Sequence, residues 1–172
     1  MSTPLQWAWL AGLIDGEGCI VINRQRAEGR KDLRTDSFRL FLQVTMGDRR
    51  ALDHCRKIAG CGSVQPHNVS NKKANAAWCW MTSAKDAEYV LRNVLKHLII
   101  KQDEALVALD FRKLKCVRQC GSRWMTPKTQ SMVDSMATAY WRLRMLKSRW
   151  RFYHRQLPKW ARDEISRLDL KV

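Results

Sequence analysis

The decisive stretch of this chain is residues 10–18, LAGLIDGEG, in which an apolar run stops at glycines and carboxylates. Pro4 suits the first position of a helix and Ser2 or Thr3 can cap it, so we expect a helix that runs from there into this stretch. Ala8, Gly12 and Gly16 recur every four residues and share one helix face that carries almost no side chain. Such a face allows a second helix to approach backbone to backbone.

Two acids, Asp15 and Glu17, lie where this helix is expected to end. The C-terminus is the negative end of the helix dipole, so carboxylates there are unfavourable unless a cation joins them. The Glu17 carboxylate and the backbone carbonyls freed at a helix end are hard oxygen ligands of the kind that suits Mg²⁺. The stretch therefore predicts a divalent metal site at Glu17.

Composition indicates which partners to expect. The 172 residues are one ordinary domain, 1–172, and 32 Lys and Arg against 16 Asp and Glu give a formal net charge of +16. An excess of this size favours a polyanion, and without a long apolar run or a signal peptide we expect nucleic acid rather than a membrane. Six cysteines without zinc-site spacing are expected to be free thiols in a reducing, intracellular compartment, not in a secreted protein.

Hydrophobic periodicity predicts an α+β domain in the order helix, two strands, helix, two strands, then helices. In the second strand Phe38, Leu40, Leu42 and Val44 form an inward stripe, and in the fourth Trp78 and Trp80 share the core face, which leaves Cys79 outward. The strands are expected at residues 19–26, 36–45, 63–69 and 75–82. The helices after the first are expected at residues 49–59, 86–98, 102–114, 128–151 and 158–168.

The LAGLIDGEG stretch resembles the motif of the LAGLIDADG homing endonucleases, in the branch that carries a single motif. The resemblance covers about residues 5–115 and is also good at 43–45 (QVT) and 100–102 (IKQ). It implies an αββαββα core whose four-stranded antiparallel sheet forms a saddle over DNA, followed by a basic helical extension over about 128–172. It also implies a homodimer in which the motif helix packs on its two-fold mate through Ala8, Gly12, Leu13 and Gly16.

The same resemblance implies an active site. Glu17 and the carbonyl of Gly16 are then expected to bind Mg²⁺, which Mn²⁺ replaces, whereas Ca²⁺ binds without supporting cleavage. Asp15 corresponds to the family's first acid, which mainly holds the helix end, and Lys101 to its catalytic lysine. The polar residue usual three positions beyond Gln43 is replaced by Met46. Either Gln43 or Thr45 takes part of its role, or the solvent network differs, or activity is lower.

A DNA interface is expected on the outward face of the strands. Amide, imidazole and guanidinium groups there pair with base edges, and lysines and arginines on the loops reach phosphates. The expected base readers are Asn23, Gln25, Ser37, Arg39, Gln43, Gln65, His67 and Asn75. The expected phosphate or flanking contacts are Arg30, Lys31, Arg34, Lys72 and Lys73.

The sequence thus predicts a metal-dependent, homodimeric endonuclease that cuts a long, nearly palindromic double-stranded DNA target. The resemblance implies that it is intron-encoded and acts in an organelle or in a prokaryotic cytoplasm. Two alternatives stay open on the same fold. One is a maturase that binds intron RNA, and the other is a DNA-binding regulator that does not cleave.

Overall fold

The computed structural model describes residues 2–27, 36–67, 77–116, 130–147 and 159–168. These ranges contain four strands and six α-helices. The strands are β1 (Gly18–Gln25), β2 (Ser37–Met46), β3 (Ser63–His67) and β4 (Ala77–Ser83). The helices are α1 (Pro4–Glu17), α2 (Arg49–Ala59), α3 (Ala84–Val94), α4 (Gln102–Cys116), α5 (Gln130–Leu146) and α6 (Lys159–Arg167), and a 3-10 turn (Leu95–His97) follows α3.

Helix α1 begins with the expected capping signals. Pro4 occupies its first turn, and the Thr3 hydroxyl accepts from the Gln6 N–H at 3.3 Å while the Gln6 side chain accepts from the Thr3 N–H at 2.8 Å. This reciprocal pair satisfies two of the N–H groups that a helix start leaves open. The helix ends at Glu17, one residue before the strand β1 begins, so the motif joins a helix directly to a strand.

The strands form one sheet with hydrogen-bonded order β1-β2-β4-β3. Strand β4 pairs antiparallel with β2 on one side and with β3 on the other, and Trp80 stands opposite Val44 and Val64. The inward stripe of β2 is buried as expected, and so is Trp80. Cys79 lies on the opposite face as expected, but it is buried rather than exposed, because its small side chain stands between Thr45 and Gln65 in register.

The turn before β3 needs glycine at two positions. Gly60 and Gly62 have φ values of 68° and 85°, in the left-handed region that side chains avoid. A Cβ on Gly62 would also lie 2.6 Å from the indole nitrogen of Trp80. That nitrogen donates to the Cys61 carbonyl at 3.1 Å, so the turn closes tightly over the buried indole.

The chain divides into two compact units. The first contains Met1–Val21 and Leu40–Leu109, and its core includes Leu10, Ile14, Leu52 and Leu91. In it α1 contacts α2, α3 and the 3-10 turn. The second unit contains Ile22–Arg39 and Asp110–Val172, and its core includes Phe38, Phe111, Trp141 and Ile165. The expectation of a single domain, with a core over about 5–115 and an extension over about 128–172, stays a prediction.

Most predicted elements agree with the structure to within two residues, and the differences lie at element ends. Helix α3 begins at Ala84 rather than at residue 86, and its predicted last turn is the 3-10 turn. The α5 prediction ran to residue 151, beyond Leu146, into a range outside the described residues. Four cysteines, Cys19, Cys55, Cys61 and Cys79, are free as expected. None of the described helices is both long and apolar enough to cross a bilayer.

Candidate active site and nucleic-acid interface

The carboxylate of Asp15 fastens the end of α1 to the segment before α4. Its Oδ2 accepts from the Ile99 N–H at 2.7 Å and its Oδ1 from the Lys101 N–H at 2.9 Å. Asp15 is only 9% exposed, so both bonds form with little competition from water. Asp15 is therefore committed to two backbone donors, which connect the end of α1 to the segment before α4.

Lys101 provides a cation at this helix end. Its Nζ donates to the backbone carbonyl of Asp15, one of the carbonyls that the end of α1 leaves without a helical partner. The last turn of α1 contains no basic residue of its own. The ammonium therefore offsets the negative end of the helix dipole beside two acids. The Lys101 side chain is half-buried. Lys101 follows two residues after Ile99, whose backbone N–H also binds Asp15.

Glu17 is exposed at the last position of α1. No hydrogen bond or ion pair engages its carboxylate within the described ranges. The next residue, Gly18, tolerates no side chain, because a Cβ there would lie 2.6 Å from the Ile14 carbonyl oxygen. The chain thus turns from helix to strand directly behind Glu17, which leaves the carboxylate facing outward beside the exposed Gly16.

The described part of one copy of the chain does not form a complete metal site. The described residues contain no group of three His, Cys, Asp or Glu side chains that could hold an ion. Glu17 itself fits a divalent cation, since it is an exposed carboxylate at the negative end of a helix and has no partner among the described residues. The buried thiol of Cys55 does not, because burial raises the pKa of this group to about 12 and keeps it protonated.

The polar residues of β2 share its outward face. Gln43 and Thr45 are half-buried and alternate with the core residues Leu42 and Val44. Gln43 stands in a cross-strand row with Met81 and Ser63, and Thr45 in a row with Cys79 and Gln65. On this face β4 thus contributes the short or apolar side chains of Cys79 and Met81. The polar groups come from β2 and β3, which flank β4.

Met46 continues the apolar stripe of β2 instead. It pairs in register with Trp78, which is half-buried. The guanidinium of Arg49, which the sequence did not single out, lies 4.6 Å from the centre of the Trp78 ring and donates to Asp53 at 3.2 Å. A thioether suits this apolar position, and a cation lies close to it on the first turn of α2.

The remaining predicted DNA contacts fall into two groups. Five of them are exposed or half-buried on strands: Asn23 and Gln25 on β1, Ser37 on β2, and Gln65 and His67 on β3. Arg39 on β2 is exposed as well. The other predicted contacts, Arg30, Lys31, Arg34, Lys72, Lys73 and Asn75, lie outside the described residues.

Helix α1 has an apolar face that the described residues leave largely uncovered, apart from a contact of the Trp9 ring with His54. Leu5 is 80% and Trp9 42% exposed, and a Cβ on Gly12 or Gly16 would meet no atom within 4 Å. Ala8 and Leu13 along this face are half-buried. Near the other end of the helix, Ile99 and Ile100 are 87% and 75% exposed beside the Asp15 carboxylate. Exposed apolar surface of this extent is typical of a protein interface.

The second unit contains a partly buried ionic cluster that sequence reasoning missed. Arg24 on β1 binds the carboxylates of Asp36 and Glu164. Strand alternation places Arg24 on the face of β1 opposite to that of its exposed neighbours Asn23 and Gln25. The local sequence, however, does not indicate which residues pair with an arginine on that face. Glu164 lies 140 residues further along the chain.

The fold and this acid-terminated helix define a class of nucleases, and comparison with known proteins agrees. The family model for LAGLIDADG endonucleases matches residues 10–114. The DNA endonuclease I-CvuI of Chlorella vulgaris is 30% identical to the chain over 111 residues, which are 63% of this chain and 65% of that protein. The chain thus covers less than two thirds of this relative's length.

Solved structures of homing endonucleases have the same fold. That of I-CvuI in complex with the I-CreI target has a TM-score of 0.68 at 22% identity, covering 98% of this chain and 97% of that one. An archaeal intron-encoded homing endonuclease, I-Vdi141I, complexed with DNA, has a TM-score of 0.69 at 11% identity, covering 97% and 98%. The chain belongs to the LAGLIDADG endonuclease family, and the predicted family and fold class are confirmed.

Proposed function

We propose that the protein is a homodimeric, Mg²⁺-dependent homing endonuclease that cuts a long, nearly palindromic site in double-stranded DNA. The observation that carries the proposal is Glu17, an exposed carboxylate at the end of the motif helix that no described residue pairs with. Its neighbour Asp15 is fully used in holding two backbone amides, so the two acids of the motif have separate tasks. An acid left open at this position is expected of a nuclease and has no structural role in the fold.

Hydrolysis of a phosphodiester needs an activated water, neutralisation of the negative charge that builds on the phosphoryl oxygens, and help for the leaving oxygen. A divalent ion, when bound, lowers the pKa of water and stabilises that charge. Glu17 and the Gly16 carbonyl would hold the ion, and Mn²⁺ is expected to replace Mg²⁺. Lys101 supplies a further positive charge beside the same helix end, and Gln43 offers an amide to orient solvent.

The homodimer is supported by the uncovered face of α1. One chain contributes a single open carboxylate, whereas cutting both strands requires two. A two-fold axis through the Gly12 and Gly16 face would bring the two copies of Glu17 close together and would cover Leu5 and Trp9. Gly12 and Gly16 have room outside for a second helix, which is what such a contact requires.

DNA recognition is supported by charge and by the polar outward faces of the strands. The net charge of +16 favours a polyanion. Asn23, Gln25 and Arg39 on one strand pair and Gln65 on another expose groups that pair with base edges. We further propose that the gene lies within an intron and that the protein acts in an organelle or in a prokaryotic cytoplasm.

The test is cleavage of a randomised DNA library in Mg²⁺, followed by sequencing of the ends. We expect one extended consensus with two-fold symmetry to emerge. Glu17→Gln should keep binding to that consensus in Ca²⁺ and lower cleavage in Mg²⁺ by more than the roughly 10²–10³-fold expected for one electrostatic group.

The matched control is Glu88→Gln, the same chemical change on α3, whose carboxylate pairs with Arg92. This variant should cleave at the wild-type rate. Cleavage by Glu17→Gln at the wild-type rate would exclude the site at Glu17. Binding of a consensus without any cleavage by the wild type would favour the non-cleaving regulator instead.

A further inference from the structure

The Arg24 guanidinium is held by two carboxylates in a partly buried position. Its Nε donates to Asp36 Oδ2 at 2.6 Å, and its two terminal nitrogens donate to Glu164, one of them to Oε1 at 2.9 Å. The side chains are 11%, 17% and 13% exposed for Arg24, Asp36 and Glu164. This is the two-pronged arrangement that a guanidinium makes with a carboxylate and that an ammonium cannot reproduce.

Aromatic rings surround the Arg24 guanidinium, and a further donor binds its partner Glu164. The guanidinium carbon lies 5.6 Å from the ring centre of Phe38, 5.9 Å from that of Tyr140 and 5.7 Å from that of Trp160. The indole N–H of Trp141 donates to Glu164 Oε2 at 3.1 Å. Burial alone would lower the pKa of Arg24, but the hydrogen bonds and charges of Glu164 and Asp36 outweigh it and raise the pKa.

Asp36 connects this cluster to both strands of the β1–β2 pair. It immediately precedes β2, and its Oδ1 accepts from the backbone N–H of Ala27, just beyond the end of β1, at 2.9 Å. One carboxylate therefore holds the side chain of Arg24 within β1 and the backbone that follows it. Glu164 connects helix α6 to the Arg24 guanidinium, and its hydrogen bond with the Trp141 indole connects α5 to the same cluster.

The exposed residues Asn23 and Gln25 flank Arg24 on β1. Because side chains alternate along a strand, they point away from the cluster, and a shift of one residue would exchange the two faces. An apolar side chain in place of Arg24 would tolerate small rotations of the strand. A guanidinium that binds two fixed carboxylates does not tolerate such rotations, since any misalignment leaves charge unpaired in a partly buried position.

We propose that Arg24, Asp36 and Glu164 are positioning residues that set which base positions Asn23 and Gln25 read. The proposal rests on the proposed function, because it requires that β1 faces DNA. It assigns to α6, on the basic C-terminal extension, a part in sequence recognition that needs no contact with DNA.

Glu164→Gln is the primary variant, because it keeps the shape and removes one of the two charged acceptor oxygens. Its neighbour Asp163 is exposed and makes none of the hydrogen bonds or ion pairs of the cluster, although it lines the same cavity as Arg24 and Glu164. Asp163→Asn removes the same charge from the same helix and is the matched control. The measurement is the relative binding of every single-base variant of the target in Ca²⁺, with thermal unfolding in parallel.

For Glu164→Gln we expect discrimination at the base positions facing β1 to fall by about 5- to 100-fold per position, the value of one good base contact. Discrimination at the positions facing Gln65 on β3 should stay unchanged, and Asp163→Asn should keep the wild-type profile. A profile unchanged by Glu164→Gln, or flattened equally at all positions or by the control, would overturn the proposal.

Should Glu164→Gln fail to fold, Arg24→Lys replaces it, because it retains the charge and loses only the fork, and the same comparison decides. A wild-type protein without any base preference would contradict the proposed function. A wild-type preference that neither variant alters would contradict only the positioning role.

Discussion

Replacement of Asp15 by alanine should unfasten the end of the motif helix. The carboxylate accepts from the N–H groups of Ile99 and Lys101 at 2.7 and 2.9 Å, and it is the acceptor that these amides have in the described structure. Alanine offers no acceptor, so both donors lose their bond at the place where the chain enters α4. Asp15→Asn retains one acceptor oxygen and turns an amide N–H₂ toward the other donor.

The expected cost follows from these two bonds. A hydrogen bond to a charged group contributes about 1.5–3 kcal/mol, so the pair gives an upper value of about 3–6 kcal/mol. Because the Ile99 side chain is 87% exposed, water can reach the freed amides and recover part of this. We therefore expect the free energy of unfolding to fall by about 2–4 kcal/mol for Asp15→Ala and by about 1–2 kcal/mol for Asp15→Asn.

Urea denaturation followed by tryptophan fluorescence measures these differences directly. The control is Asp103→Asn, an exposed acid in the first turn of α4 that loses the same charge and should cost less than about 1 kcal/mol. If Asp15→Ala left the midpoint and the slope of unfolding unchanged, the carboxylate would not be holding the helix end. Equal losses in Asp15→Asn and Asp103→Asn would attribute the effect to charge alone.

Two further variants test the interface and the base readers. Gly12→Leu should abolish the dimer and cleavage together. The thermal stability of the protomer should not fall, because a Cβ at this position meets no atom within 4 Å in one copy of the chain. An intact dimer by sedimentation velocity would contradict the placement of the interface. Arg39→Ala should relax preference at one base position per half-site, by about 1–3 kcal/mol, as measured by competition among single-base variants of the target. A uniform loss at all positions would instead make Arg39 a phosphate contact.

The elements that could be predicted are those whose signals are local. Helix α2 was predicted with its observed bounds, since Asp48 caps its start and Gly60 adopts the left-handed conformation at its end. The inward stripe of β2 followed from alternation alone. The end of α3 was less accurate, because no glycine or proline marks where the α-helix tightens into the 3-10 turn.

What could not be predicted depends on partners that are distant in the chain. Nothing around Arg24 in sequence indicates that Glu164 completes its ion pairs, and nothing around Met46 indicates the Arg49–Trp78 stack beside it. The resemblance implied separate roles for Asp15 and Glu17, but the sequence did not indicate which groups the Asp15 carboxylate binds. Those groups are the amides of Ile99 and Lys101, which follow all four strands in the sequence.

The bonds of Asp15 also have a consequence for the order of folding. They connect residues 84 and 86 positions apart, so they close a loop that contains α2, α3 and all four strands. Contacts of such sequence separation form late, after local helices and hairpins have reduced the entropy of closure. During synthesis the motif helix is complete long before residues 99–101 leave the ribosome. The hydrogen bonds of Asp15 therefore form only after most of the fold has been synthesised. A chain in which α1 has formed but Asp15 has not yet met these two amides therefore still lacks the bonds that fasten the end of the motif helix.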